Sequence, residues 1–291
     1  MIKTAVIGAS GFIGKNLINK YRKKYPDCIG TYFSNKESKL IKFDIKNPNI
    51  DRLDLEKTGH KAVIIASYKS DISYCENESD KAYEVNVDGI LRLIKNLSQT
   101  NLKIIFLSSE HVFDGLTGKY NDEHLRNPKT SYGNHKKIIE DNIKNLTDNF
   151  VVLRLSKNYG LKKNDRTILD EAANLLNQNK NVLAASDNYF NPTLVDDSVE
   201  SIIKIQEKNL NGYINVCAPE TWSRFEMHSH LAKIMGKDEN LIKKIKLYDI
   251  PKMKGRPLNT SMICNRLNKE IGSKFTSIKD AINKIAQNYK I

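Results

Sequence analysis

A phenol and an amine on one helix face can work together, one handling a proton and the other supplying charge. The stretch SYGNHKK sets Tyr132 and Lys136 four residues apart, the spacing at which helical side chains lie one above the other. A tyrosine hydroxyl releases its proton near pH ~10, which makes it sluggish at neutrality, and an adjacent cation stabilises its phenolate. Spacing alone carries little weight in a chain with 13 Tyr and 47 Lys plus Arg. A second pattern adds to it. Gly8-Ala-Ser-Gly11-Phe-Ile-Gly14 follows an apolar run and precedes an amphipathic one. Glycines there let the backbone turn sharply and approach a pyrophosphate, which the amides of the following helix can hold.

The elements that must position these groups alternate. Residues 2–7 read as a strand, and short apolar runs recur at CIGTYF, LIKFDI, AVIIAS, KIIFLSS and VVLRLS. Helical patterns such as KAYEVNVDGILRLIKNLSQT and KKIIEDNIKNL lie between them. Strands alternating with helices predict an α/β fold, a doubly wound parallel sheet of the Rossmann type, with six or seven strands in a dinucleotide-binding domain over 1–160. Residues 161–291 read as a smaller, more helical substrate-binding region, with short strands near NVLAAS and YINVC and some segments packing back on the first domain.

Composition narrows the class. Apolar residues make up 40% and charged residues 28%, ordinary for a globular protein, and no apolar run approaches the ~20 residues that span a bilayer. MIKTAVIGAS lacks the long apolar segment of a secretory signal, so a cytoplasmic location is expected. The net charge of +13 is spread along the chain among acids, as in ENLIKKIKLYD. That pattern argues for a solvated basic surface attractive to a small anionic substrate, with neither nucleic acid nor membrane as partner. Cys28, Cys75, Cys217 and Cys264 are scattered without metal spacing and read as free thiols. His228 and His230, two apart on a helix, point to different faces, so no metal site is expected.

The GxxGxxG spacing resembles the extended branch of the short-chain dehydrogenase/reductase superfamily. The resemblance implies cofactor contacts from Gly8, Gly11, Phe12, Ile13 and Gly14, from Asp44 and Ile45 to adenine, and from Ala66 and Ser67 at the end of the fourth strand. Asn86 matches an asparagine on the family's central helix. In the superfamily a Ser or Thr ends the fifth strand beside Tyr-x-x-x-Lys, which makes Ser109, Tyr132 and Lys136 the expected catalytic set. Ser109 would orient a substrate carbonyl and Tyr132 would give it a proton, while Lys136 supplies charge and holds the nicotinamide ribose. The second strand ends without an acid before Glu37, and Ser34, Asn35 and Lys36 could receive a 2′-phosphate, so NADP(H) is favoured over NAD(H).

Further segments narrow the resemblance to the dTDP-4-dehydrorhamnose reductase group across nearly the whole chain: SSEHVFDG, TGKYNDEHLRNPKTSYGNHK, VVLRLSKNYG, DNYFNPTLVDDSVESI and GRPLNTSMICNRL. It implies an NAD(P)H-dependent reductase of a 4-keto-6-deoxy nucleotide sugar in polysaccharide synthesis, with a homodimer compatible. Arg256 would face the substrate's diphosphate, with Asn191 and Asn259 lining the same cleft. Two places depart from the group. Glu110-His111 replaces an acid-aromatic pair, and Lys157 stands where an aromatic is usual; all three would face the sugar. The alternatives are an epimerase or dehydratase that retains NAD, and a non-catalytic regulatory subunit such as the β subunit of methionine adenosyltransferase. The single tryptophan, Trp222, reads as a core or interdomain residue before a ligand contact.

Overall fold

The computed structural model describes residues 1–251, 253 and 255–289; Lys252, Lys254, Lys290 and Ile291, all in the expected C-terminal region, lie outside the described residues. The first apolar run forms β1 (Thr4–Ile7), buried along its whole length, as a strand covered on both faces must be. The chain then moves outward through β2 (Thr31–Tyr32) and β3 (Ile41–Lys42), which pair in parallel. The Val6 amide ties the segment before β2 to β1 by donating to the Ile29 carbonyl at 2.9 Å. It returns to the other side of β1 as β4 (Ala62–Ile65), β5 (Lys103–Ser109) and β6 (Phe150–Leu155). The sheet runs β1-β4-β5-β6 and ends on the strand Gly212–Val216. Thr4 stands opposite Ala62 and Ala62 opposite Lys103 in parallel register. The direction of winding therefore reverses between β1 and β4, and at such a switch point a crevice opens beyond the strands' carboxyl ends.

Among the helices that serve this sheet are α1 (Phe12–Arg22), α2 (Ile72–Asn77), α3 (Ser79–Tyr83), α4 (Ile90–Leu97) and α5 (Ser131–Leu146). Between α3 and α4 the backbone widens to a π-helix over Glu84–Gly89. On α4, Ile90, Leu93, Ile94 and Leu97 recur at helical spacing and pack with Val63, Ile65, Ile104 and Phe106. Each such side chain adds roughly 1.5–3 kcal/mol of burial.

The chain divides into two compact units that interleave in sequence. The first comprises Met1–Val112, Thr130–Arg154 and Val199–Ile214; the second comprises Phe113–Lys129, Leu155–Ser198 and Asn215–Ile291. The second holds α6 (Ile168–Asn177) and the first turn of α7 (Val195–Glu207), and its own core is built from α6, α8 (Arg224–Ile234) and the helix Ile278–Tyr289. A reciprocal cap between Ser223 and Glu226 starts α8. Trp222 packs on this core and donates to Glu220 at 2.9 Å. Cys28 and Cys75 are free and buried, as expected, but Cys217 and Cys264 are joined as a disulfide. The fold brings them together across 47 residues, a closeness that sequence spacing does not contain.

Candidate active site

The glycine turn takes the form its residues require. Gly8 has φ +91°, and a Cβ there would lie 2.6 Å from the Ser67 amide nitrogen. A Cβ on Gly14 would stand 2.1 Å from the Gly8 carbonyl oxygen, so the first turn of α1 closes on the loop only because both are glycine. A Cβ on Gly11 meets only the Gly8 oxygen, at 3.4 Å, which leaves the space outside the turn open. That space is a cavity walled by Gly8, Gly11, Ala66 and Ser67 on one side and by Asp44 and Ile45 on another. Ser34 and Asn35 complete the rim.

Other expected cofactor residues stand differently. Phe12, Ile13 and Gly14 lie in α1 behind the turn, off the cavity wall. Lys36 is exposed and also off the wall, while Lys15 pairs with Glu37 at 2.8 Å nearby. The cradle suits a dinucleotide on its own geometry: two glycines are held to zero side chain around an open turn at a helix start. Asn86, in the π-helix, accepts from the Lys69 amide at 2.8 Å and donates to the Lys69 carbonyl at 3.1 Å. It thereby pins the segment that follows β4. Gly89 in the same turn passes so close to Ile45 that a Cβ would sit 2.5 Å from its carbonyl oxygen.

Helix α5 is anchored at both ends. Thr130 caps it by accepting from the Gly133 amide at 3.1 Å, and Glu76 on α2 accepts from the Ser131 amide at 2.7 Å and its hydroxyl at 2.8 Å. Two turns on, Glu140 is fully buried and meets Arg154 of β6 at 2.8 Å, while Ser108 donates to it at 2.6 Å. Helix and strand end are thus fixed to each other on either side of the reactive groups.

The Ser109 side chain faces the Tyr132 hydroxyl. Burial raises the phenol well above its ordinary value; the Ser109 side chain opposes this and the Glu110 charge reinforces it. The His111 ring meets Tyr132 edge-on at 5.6 Å, and its amide donates to the Ser109 hydroxyl at 3.3 Å. Lys136 is buried and donates to the Leu107 carbonyl at 2.6 Å. Burial pushes its ammonium down to about 7, and Glu140 one turn away pulls in the other direction. The expected contact between Lys136 and Tyr132 is not closed, since Nζ stands 6.0 Å from the Tyr132 ring centre. Instead it sits over the face of Tyr68, 3.4 Å from the ring centre. Tyr68 follows β4, lines the dinucleotide cavity and was not singled out by the sequence. Its only advance signal was adjacency to Ala66 and Ser67.

The remaining expected substrate residues belong to the second unit. Asn191 is completely buried, its Nδ2 donates to the carbonyls of Ala218 and Glu220, and its Oδ1 accepts from the Met262 amide at 2.7 Å. With its amide committed to backbone, it organises loops in the second unit. Asn259 is likewise engaged, accepting from the Ser261 amide and hydroxyl at 3.2 and 2.7 Å and packing against Gly118. Lys157 is exposed. Arg256 is half-buried and close enough to Arg224 at the start of α8 that, after burial, it is the next cause lowering that guanidinium to about 10. Arg224 donates to Asn188 at 2.7 Å, and Asn188 in turn donates to the carbonyls of Pro257 and Leu258. Two neighbouring guanidiniums suit a group with two negative charges.

The family model described as the RmlD substrate binding domain matches residues 2–291. The chain is 24% identical over 306 residues to a dTDP-4-dehydrorhamnose reductase of Aggregatibacter actinomycetemcomitans, covering 98% of each. It is also 24% identical over 281 residues to the methionine adenosyltransferase 2 subunit beta of Bos taurus, covering 91% of this chain and 81% of the relative. Among solved structures, the dTDP-4-dehydrorhamnose reductase of Bacillus anthracis in complex with NADP superposes with a TM-score of 0.83 at 21% identity, covering 98% of this chain and 99% of that one.

Proposed function

We propose a reductase function from one premise: this chain belongs to the RmlD substrate binding domain family. Its substrate in this reading is a 4-keto-6-deoxy nucleotide sugar, and its cofactor a nicotinamide dinucleotide with NADP(H) preferred. The reaction would serve surface polysaccharide synthesis, with the cytoplasm as its place. The observation that carries the reading is the meeting of Ser109, at the end of β5, with Tyr132 on α5, whose ring touches that of Tyr68 on the wall of the cavity that holds the glycine turn.

The bound dinucleotide supplies a hydride; the chain's own residues do the rest. Amides at the start of α1 hold the pyrophosphate across Gly11. Ser109 orients the carbonyl oxygen of the sugar, and Tyr132 passes its proton to that oxygen as it becomes an alcohol. Its raised affinity for the proton keeps Tyr132 in the donor form at neutral pH, which suits reduction. Ser34 and Asn35 at the rim, in a stretch with no acid between Tyr32 and Glu37, support a phosphorylated ribose. Arg256, with Arg224, would receive the diphosphate of the sugar nucleotide. Glu110 and His111 beside Tyr132 would set which sugar is accepted.

The test is loss of NADPH absorbance with dTDP-4-dehydrorhamnose and a panel of other 4-keto nucleotide sugars. Turnover that disappears in Tyr132→Phe is the expected result. Tight NADPH binding with no turnover on any sugar, together with a stable complex with a methionine adenosyltransferase, would replace it with the regulatory reading.

A further inference from the structure

Tyr68 carries chemistry that the mechanism above leaves unused. Its ring face holds the Lys136 ammonium at 3.4 Å, nearer than Phe106 at 4.7 Å or Tyr132 at 6.0 Å. Its edge meets Tyr132 at 5.5 Å and 89°. Its hydroxyl is buried and makes no hydrogen bond among the described residues. Phenylalanine would fill the same space without leaving an oxygen unmatched, so packing alone does not account for a tyrosine here. Nor does the hydroxyl hold the ring in place, because Asn86 already pins the next residue by both its backbone groups. The same side chain lies on the wall of the dinucleotide cavity.

We propose that Tyr68 is a positioning residue: its ring holds the Lys136 ammonium, and its hydroxyl is a hydrogen-bonding partner kept for the nicotinamide nucleotide. The inference rests on the reductase reading. In a buried setting a cation over a π face is favoured over a bare one, so the ring keeps Lys136 charged where burial alone would strip its proton. Lys136 already donates to the Leu107 carbonyl, and the ring occupies a further side of the ammonium. The groups facing Lys136 are then Glu140 on its own helix, Cys75 on α2, Tyr68 after β4 and Phe106 on β5. Of these Glu140 is already bound by Arg154 and Ser108. The entering nucleotide would meet the Tyr68 hydroxyl and an ammonium held in the charged form.

The experiment is titration of NADPH binding across pH 6 to 9 in wild type, Tyr68→Phe and Tyr68→Leu, with a thermal melt of each protein. Tyr68→Phe keeps the ring and loses the hydroxyl; its NADPH dissociation constant should rise about tenfold with the pH profile in place. Tyr68→Leu removes the π face while keeping the site dry; its alkaline loss of affinity should move down by about one pH unit. A purely structural role would lower the melting temperature and leave that profile where it is. Tyr68→Phe binding within about twofold of wild type overturns the proposal, and so does a leucine profile superimposed on wild type. Should the leucine variant not fold, Tyr68→Met carries the same reading. Wild-type protein that binds no nicotinamide nucleotide overturns the reductase reading and this proposal with it. Wild-type binding matched by both variants removes Tyr68 alone.

Discussion

Tyr132 shows how an environment chooses between the two roles of one side chain. A phenol paired with a nearby cation is readied to give up its proton and accept another; one enclosed without such a partner keeps it. The structure has the second arrangement, with burial outweighing the influence of the Ser109 side chain and Lys136 held away. Tyr132→Phe should therefore lower turnover roughly 10²- to 10⁴-fold while leaving NADPH affinity nearly unchanged. Steady-state kinetics with parallel cofactor titration checks this, and a variant retaining more than about a tenth of wild-type turnover removes Tyr132 from the acid role. The places of Ser109 at the end of β5 and of Tyr132 and Lys136 on α5 were legible because strand-end position and helical spacing are local properties. Tyr68 was not, since an aromatic after a strand has no period of its own. The backbone partners of Asn191 were hidden for the complementary reason: Ala218, Glu220 and Met262 lie 27 to 71 residues away, and no local pattern reports them.

At the scale of elements, the catalytic geometry depends on how α5 and the β1–α1 turn are held. Glu140 joins α5 to both β5 and β6 through Ser108 and Arg154. Removing it strands a buried guanidinium, and Glu140→Ala should cost about 3–5 kcal/mol of stability in denaturant unfolding. In the turn, the glycines separate by role. Gly14→Ala places a methyl against the Gly8 carbonyl and should lower the melting temperature together with NADPH affinity. Gly11→Val has room within the fold and should block the nucleotide with little loss of stability. An unchanged NADPH titration in Gly11→Val would sink the reading of this turn. The alternation of strand and helix was visible from the apolar runs, including the strand near YINVC. Its place beside β6 was not, because pairing order across nearly sixty residues is decided by packing.

For the whole molecule, buried ionisable groups set the working range of pH. His228, enclosed on α8, is lowered to about 3 by burial and then by the Arg224 charge. Its value in the unfolded chain is near ~6.5, so the unfolded state binds more protons between those limits and stability falls as pH drops below ~6.5. At about 1.4 kcal/mol per pH unit, roughly 2 kcal/mol is lost by pH 5 from this residue alone. Denaturant unfolding at pH 7 and pH 5 should show a smaller difference in His228→Phe than in wild type. The interleaving of the two units bears on birth of the chain as well as on its stability. The sheet takes its last strand from residues 212–216, so a ribosome that has released only the first 160 residues has delivered a sheet with one edge bare. That edge waits for some fifty more residues at ~5–20 residues per second, an interval of several seconds in which nascent chains can pair with one another or recruit a chaperone. Stalled nascent chains ending before residue 212 should be cut rapidly by protease, and those with Val216 clear of the exit tunnel should resist.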